Sequence, residues 1–197
     1  MPRLLEIVEA ALQGGVSLVQ FREKSEHGPT ERQDAATRMR DLCREHHVPF
    51  IVNDDPLLAQ ALDADGVHVG RDDPSPQAAR EILGPGRIVG VTVYGGPDEE
   101  AAAAAAGADY VAVGPFFPSP TKPEEPVLSL DVLDHIVERS SLPVFAIGGI
   151  HSENAGLLAI HGAAGIAVVS AIMEVDDPRA AASTLARAFE AGALARR

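Results

Sequence analysis

The sequence predicts an α/β fold, a (β/α)8 or TIM barrel lacking its first strand, formed as a single domain over residues 1–197. Three observations lead there. Helical periodicity alternates with short β-branched runs along the whole chain. The runs Ile88-Val89-Gly90-Val91, Tyr110-Val111-Ala112-Val113 and Val144-Phe145-Ala146-Ile147 are apolar on both faces, as a parallel sheet covered by helices requires. The alternation opens with a helix, so seven strands meet about eight helices and one strand of a closed barrel has no counterpart.

In order, the pattern predicts a helix over 3–13, a strand over 16–22, a helix over 30–46, a strand over 49–52, a helix over 56–62, a strand over 66–69 and a helix over 75–83. It continues with strand 87–92, helix 97–106, strand 109–114, helix 129–139, strand 143–147, helix 152–161, strand 164–169 and a last helical region over about 178–194. Gly107-Ala108-Asp109 and Gly162-Ala163-Ala164 supply the helix stop and the tight turn into the next strand. The alanine run 101–106 is a strong helix former. No linker or composition shift divides the chain.

Composition removes several classes of function. A formal charge of −13 leaves no positive field for nucleic acid or an anionic membrane, so any phosphate ligand must be held by local geometry or by a metal ion. The single cysteine, Cys43, excludes an internal disulfide and reads as a buried helix residue. Met1 to Glu6 lack a secretory signal and no apolar run approaches a membrane span, which predicts a cytoplasmic protein. Small-molecule substrates are the expected partners, nucleic acid and membrane are not, and homo-oligomerisation is left open.

Chemistry concentrates at strand ends. Only two of the sixteen cationic side chains are lysines, Lys24 and Lys122, and each closes a polar cluster directly after a strand. A compact ammonium suits a phosphate in ways a planar guanidinium does not. In Gln20-Phe21-Arg22-Glu23-Lys24 the period of two places Gln20, Arg22 and Lys24 on one side. In Gly114-Pro115-Phe116-Phe117-Pro118-Ser119-Pro120-Thr121-Lys122 prolines end the ladder, and Ser119, Thr121 and Lys122 supply donors.

Because all strand carboxyl ends of a parallel barrel share one mouth, Asn53, Asp54, Asp55, Gly70, Arg71, Asp72, Asp73, Thr92, Gly148, Gly149 and Ser170 join them there. Asp54 and Asp73 lie one βα unit apart. Either aspartate alone reads better as a helix N-cap, but the pair beside Arg22 and Lys24, two hard carboxylates without a His or Cys cluster, fits Mg²⁺ shared with substrate phosphates better than Zn²⁺. Gly148-Gly149-Ile150 and Val169-Ser170-Ala171, each leading into a helix, resemble the paired phosphate grip after the last two strands of many barrels, although a Gly-Gly alone reads equally as a tight turn. His68, between Val67 and Val69, reads as a hydrogen-bonded core histidine. The remaining singled-out histidines, at 46, 47, 135, 151 and 161, read as solvent-facing or helix-capping, and Tyr94 as a residue lining the mouth.

These segments, together with Asp65-Gly66-Val67-His68-Val69-Gly70, Gly90-Val91-Thr92, Ala146-Ile147-Gly148-Gly149-Ile150 and Val168-Val169-Ser170-Ala171-Ile172, resemble the thiamine-phosphate synthase family over nearly the whole chain and in the same order. The resemblance implies a transferase that couples a hydroxymethylpyrimidine diphosphate to a thiazole phosphate with release of pyrophosphate and a Mg²⁺ cofactor. It implies that Gln20, Arg22, Lys24, Asn53, Thr92 and Lys122 hold the pyrimidine diphosphate, with Lys122, Arg22, Lys24 and Thr92 the catalytic set. Asp54 and Asp73 would bind Mg²⁺. Ser119, Thr121, Gly149, Val169 and Ser170 would contact the thiazole phosphate.

Two features depart from the pattern: the absent first strand, and Arg71 where the family commonly carries glutamine. Three other readings compete. A thiazole tautomerase would use a histidine shortly after Thr92, and Val91-Thr92-Val93-Tyr94-Gly95 has none. A Schiff-base lyase would use Lys24 or Lys122 as its amine. A non-catalytic paralogue would keep the pocket and bind the thiazole phosphate without turnover.

Overall fold

The computed structural model describes residues 2–23, 28–96, 98–118 and 125–196. Seven strands, β1 (Val19–Phe21), β2 (Phe50–Asn53), β3 (Gly66–Val69), β4 (Ile88–Val93), β5 (Tyr110–Val113), β6 (Val144–Ile147) and β7 (Gly165–Ala167), form one sheet in sequential order, every pair parallel. The helices are α1 (Pro2–Gln13), α2 (Pro29–Glu45), α3 (Pro56–Ala61), α4 (Pro76–Leu83), α5 (Glu99–Ala105), α6 (Leu130–Arg139), α7 (Ala155–Ile160), α8 (Ser170–Met173) and α9 (Pro178–Ala195).

This is the predicted barrel without one strand. Among the described residues β1 pairs only with β2 and β7 only with β6. The helical layer nevertheless continues past the gap, because α1 packs on both α2 and α9. The predicted strands 16–22 and 164–169 shrink to 19–21 and 165–167, and both lie at the gap. A segment with a neighbour on one side only sustains a shorter ladder than an apolar run suggests.

Apolar burial lies mainly between sheet and helices. Phe21, Phe50, Val52, Val67, Val69 and Val89 pack under α1 to α4 with Met39, Cys43 and Leu62. Val111, Val113, Val144 and Ala146 pack with Leu133, Ile136, Leu158 and Leu185 of α6, α7 and α9. Each fully buried aliphatic side chain contributes about 1.5–3 kcal/mol, so these two clusters hold the fold together. Cys43 is fully buried in α2 as expected, and burial, with a smaller contribution from the Asp65 charge, pushes its thiol up to about 12, out of reach of nucleophilic chemistry.

Inside the barrel the register aligns Asn53, His68, Gly90 and Tyr110 around one level, and Thr92, Ala112, Phe145 and Gly165 around the next. Small residues beside large ones make room. A Cβ on Gly90 would sit 2.0 Å from Cζ of Tyr110, and one on Gly165 would sit 2.4 Å from the Phe145 ring. The Tyr110 and Phe145 rings meet edge to face with centroids 5.1 Å apart.

The opposite end is tied by arginine. Arg80 of α4 donates to the carbonyls of Gly84, Arg87 and Gly107 and to Asp109, whose carboxylate also accepts from the Val89 amide. This binds α4 to the starts of β4 and β5, far from the mouth, where a barrel stores stability rather than chemistry.

Candidate active site

The chain leaves β2 through Asn53, which is buried, and turns at Asp54 with φ +68, a left-handed conformation that Asp tolerates better than most residues. The Asp54 amide donates to the His68 carbonyl at 2.8 Å, fastening this turn to β3. One residue on, Asp55 caps α3, its carboxylate accepting from the Leu58 amide at 2.9 Å and pairing with Arg32 at 3.0 Å. After β3 the Gly70 amide donates to Oδ2 of Asp73 at 2.8 Å, and Ser75 caps α4 by accepting from the Ala78 amide. The capping role that would explain either aspartate blandly is thus taken by a neighbour. Asp54 and Asp73 follow adjacent parallel strands and stand on the same rim.

Behind that rim lies a buried polar chain. Nδ1 of His68 lies 2.8 Å from the Tyr110 hydroxyl and Nε2 lies 2.8 Å from Oγ1 of Thr92. His68 is therefore the satisfied core histidine the sequence predicted. Burial lowers its pKa from 6.5 to about 4, with the Asp54 charge pulling the other way, and burial raises that of Tyr110 while a hydrogen bond with Gln20 opposes the rise.

The folded chain holds the His68 proton more weakly than the unfolded chain, so this contribution is complete above pH 6.5, is lost as pH falls towards about 4, and is constant below that. It amounts to roughly 3 kcal/mol. Denaturant unfolding of the metal-free chain should lose stability between pH 7 and pH 4, and His68→Gln should flatten that limb; an unchanged limb would place the acid sensitivity elsewhere.

The rim beside Asp73 carries Arg71 and Tyr94. The guanidinium carbon of Arg71 lies 4.0 Å above the Tyr94 ring, and its Nη2 lies 3.9 Å from Glu99, which also accepts from the Tyr94 and Gly96 amides. Tyr94 lines the mouth as expected. Arg71 is drawn to the β4–α5 loop instead of extending freely.

Across the mouth Gly148 (φ +88) and Gly149 (φ +64) make the turn after β6. A Cβ on Gly149 would come within 2.5 Å of the carbonyl oxygens of both Phe117 and Pro118, and the Gly149 carbonyl accepts from Nδ2 of Asn154 at 3.0 Å. After β7, Val169 opens the single turn α8, leaving the Ser170 and Ala171 amides ahead of the first carbonyl they could reach within that helix. Gln20 and Arg22 end β1, Gln20 exposed between buried Val19 and Phe21 and Arg22 exposed. Lys24, Ser119, Thr121 and Lys122 lie outside the described residues.

Among the described residues no group of three or more His, Cys, Asp or Glu side chains could hold a metal ion. Asp54 and Asp73 fit a hard divalent cation by donor chemistry, two carboxylates on neighbouring strand ends, provided phosphate oxygens and water complete the sphere.

Residues 2–172 match the family model described as thiamine monophosphate synthase. The chain belongs to the thiamine monophosphate synthase family. It is 49% identical over 189 residues to a thiamine-phosphate synthase of Thiobacillus denitrificans, covering 96% of this chain and 89% of that one. It is 46% identical over 190 residues to that of Alcanivorax borkumensis, covering 95% and 87%. Its fold resembles the thiamine phosphate pyrophosphorylase of Pyrococcus furiosus with a TM-score of 0.86 and 38% identity, covering 95% of this chain and 90% of the other.

Within this family member, sequence reasoning missed Tyr110 and Phe145 as interior residues. Both rings stand inside the barrel, the Tyr110 ring between those of His68 and Phe145. The available signal was glycine inside strands, Gly90 and Gly165, which marks close approach by another group.

Proposed function

We infer that the protein is a thiamine-phosphate synthase, joining hydroxymethylpyrimidine diphosphate to thiazole phosphate and releasing pyrophosphate. The observation carrying this is the pair Asp54 and Asp73, set at adjacent strand ends with the capping of α3 and α4 delegated to Asp55 and Ser75. Arg22, Asn53 and Thr92 would hold the pyrimidine diphosphate with Gln20, Lys24 and Lys122. Ser119, Thr121, Gly149, Val169 and Ser170 would receive the thiazole phosphate.

In the reaction the bond between the pyrimidine methylene carbon and the diphosphate oxygen breaks, and the thiazole nitrogen forms its bond to that carbon. Negative charge grows on the departing diphosphate, so Arg22, Lys24 and Lys122 stabilise the transition state more than the bound substrate. No protein nucleophile is needed. Holding two phosphorylated partners from opposite sides of one mouth supplies much of the remaining acceleration. Mg²⁺, held by Asp54 and Asp73, would neutralise diphosphate charge. The tautomerase reading gains nothing from His68, since both ring nitrogens are engaged in the interior. A cytoplasmic location with small-molecule partners accompanies the biosynthetic reading; among the described residues no helix is long and apolar enough to cross a membrane.

The test is pyrophosphate release from the two substrates, with Mg²⁺ and with a chelator. Release that requires both substrates and Mg²⁺ is expected. Proton transfer on a carboxythiazole phosphate without Mg²⁺ would establish the tautomerase instead, and thiazole phosphate binding without any release would establish the non-catalytic paralogue.

A further inference from the structure

The turn after β6 is pinned by its carbonyls. The Gly148 carbonyl accepts from the Phe117 amide at 3.3 Å, and the Gly149 carbonyl accepts from Nδ2 of Asn154 at 3.0 Å. A trans peptide sends its N–H the opposite way from its C=O, so these two bonds also orient the Gly149 and Ile150 amides. Among the described residues neither of those amides donates a hydrogen bond. A backbone N–H withheld from every protein acceptor is taken by water or by a ligand.

Asn154 opens α7, where capping the helix would be the ordinary task for asparagine, yet its side chain caps nothing there. It turns back instead. Its Oδ1 accepts from the His151 amide at 2.8 Å while its Nδ2 donates to the Gly149 carbonyl. Each partner is a backbone group with a single role, a carbonyl that only accepts and an N–H that only donates, so the orientation of the side-chain amide is fixed; the flipped form would set oxygen against oxygen and N–H against N–H. Of the two pins on this turn, Phe117 acts through its backbone. Only the Asn154 pin depends on the identity of a side chain.

We propose that Asn154 is a positioning residue for phosphate binding: by holding the Gly149 carbonyl on the α7 side it turns the Ile150 amide, with that of Gly149, towards the mouth, where both donate to the phosphate of the thiazole substrate. This rests on the reading of Gly149 as a thiazole phosphate contact. Once Asn154 lets go, the peptide between Gly149 and Ile150 is free to rotate, because glycine resists such a change less than any other residue. Rotation presents a carbonyl lone pair to the anion in place of a donor.

Two replacements separate positioning from stability and from charge. Asn154→Ala removes both side-chain bonds and adds no charge. Asn154→Asp keeps an acceptor for the His151 amide and puts a negative charge at the start of α7, which a helix favours, but it loses the donor to Gly149. In calorimetric titrations each variant should bind the thiazole phosphate about tenfold more weakly, the scale of one hydrogen bond, with KM for the pyrimidine diphosphate unchanged. The same thiazole with a free hydroxyl in place of its phosphate should bind wild type and variants alike, and Asn154→Asp should melt close to the wild type. Inorganic phosphate titrated into ¹⁵N-labelled protein needs neither substrate: it should shift the Gly149 and Ile150 amide signals of the wild type, and Asn154→Ala should require about tenfold more of it. Unchanged thiazole phosphate affinity in either variant, equal losses for both substrates, or amide signals that answer phosphate alike in wild type and variant overturn the proposal. Failure of the synthase reading would appear separately, as wild-type amides that respond to phosphate in a protein that releases no pyrophosphate.

Discussion

Asp54→Asn and Asp73→Asn are each expected to lower turnover by about two orders of magnitude or more and to move the Mg²⁺ dependence to higher concentration, while leaving thermal stability nearly unchanged. Asparagine is the informative replacement. At Asp54 the backbone has φ +68, which asparagine accepts and alanine resists, so Asp54→Ala would mix a folding defect into the result. The Asp54 amide bond to the His68 carbonyl belongs to the backbone and survives either change. At position 73 the side-chain oxygen of asparagine can still accept from the Gly70 amide, preserving the turn while removing the charge. What disappears is anionic oxygen at the rim. The check is steady-state pyrophosphate release against Mg²⁺ concentration, paired with a melting curve. Full activity in both variants would remove the metal from Asp54 and Asp73, whatever the fold.

The expected result at Asp54 also touches the interior. The Asp54 charge is what opposes the burial effect on His68, so Asp54→Asn pushes the His68 pKa further down and moves the acid limb of the unfolding curve to lower pH. A variant that loses activity and shows this displacement has lost a charge and kept its geometry. One that loses activity with a lower melting temperature at neutral pH has lost the turn instead.

Much of this was legible in the chain because parallel barrels write strands as apolar runs and place reactive groups immediately after them. Such runs place Asn53, Asp54, Asp73, Thr92 and Gly149 at or just after strand ends, where the fold has them, and the valine neighbours of His68 mark it as a core residue. What a linear reading could not decide is which of several adjacent polar residues performs which task. Asp54 and Asp55 are neighbours of identical type, yet a left-handed turn separates a rim carboxylate from a helix cap. That turn is secured by a bond to His68, a residue on the next strand. Tyr110 was missed for a related reason. At a strand start it reads as an ordinary β-former, and only the register opposite Gly90 shows that its ring lies across the interior. Arg80 sits on a short amphipathic helix where solvent exposure is the default, and its carbonyl partners come from segments on either side of β4.

Gly149→Ala is expected to cost about 2–5 kcal/mol of stability and to impair thiazole phosphate binding selectively. Two contributions add. Forcing an L-residue into the left-handed region at φ +64 costs roughly 1–2 kcal/mol. The added methyl meets the Phe117 and Pro118 carbonyl oxygens at 2.5 Å, and because both are backbone atoms no side-chain rotation relieves the overlap, adding about 1–3 kcal/mol. Relief requires the turn after β6 to move away from the β5 loop. That movement drags the Gly149 carbonyl from Asn154 and carries the backbone amides of the turn away from the phosphate they would hold. Gly86→Ala isolates the first contribution: φ there is +85 and an added Cβ meets nothing within 4 Å, in the turn before β4 at the opposite end of the barrel. It should lose only about 1–2 kcal/mol and keep full activity. Chemical denaturation of both variants gives the difference due to collision, and the KM values for the two substrates locate it. Equal losses in both variants would mean that the loops after β5 and β6 separate freely, and the phosphate grip would then not depend on their contact.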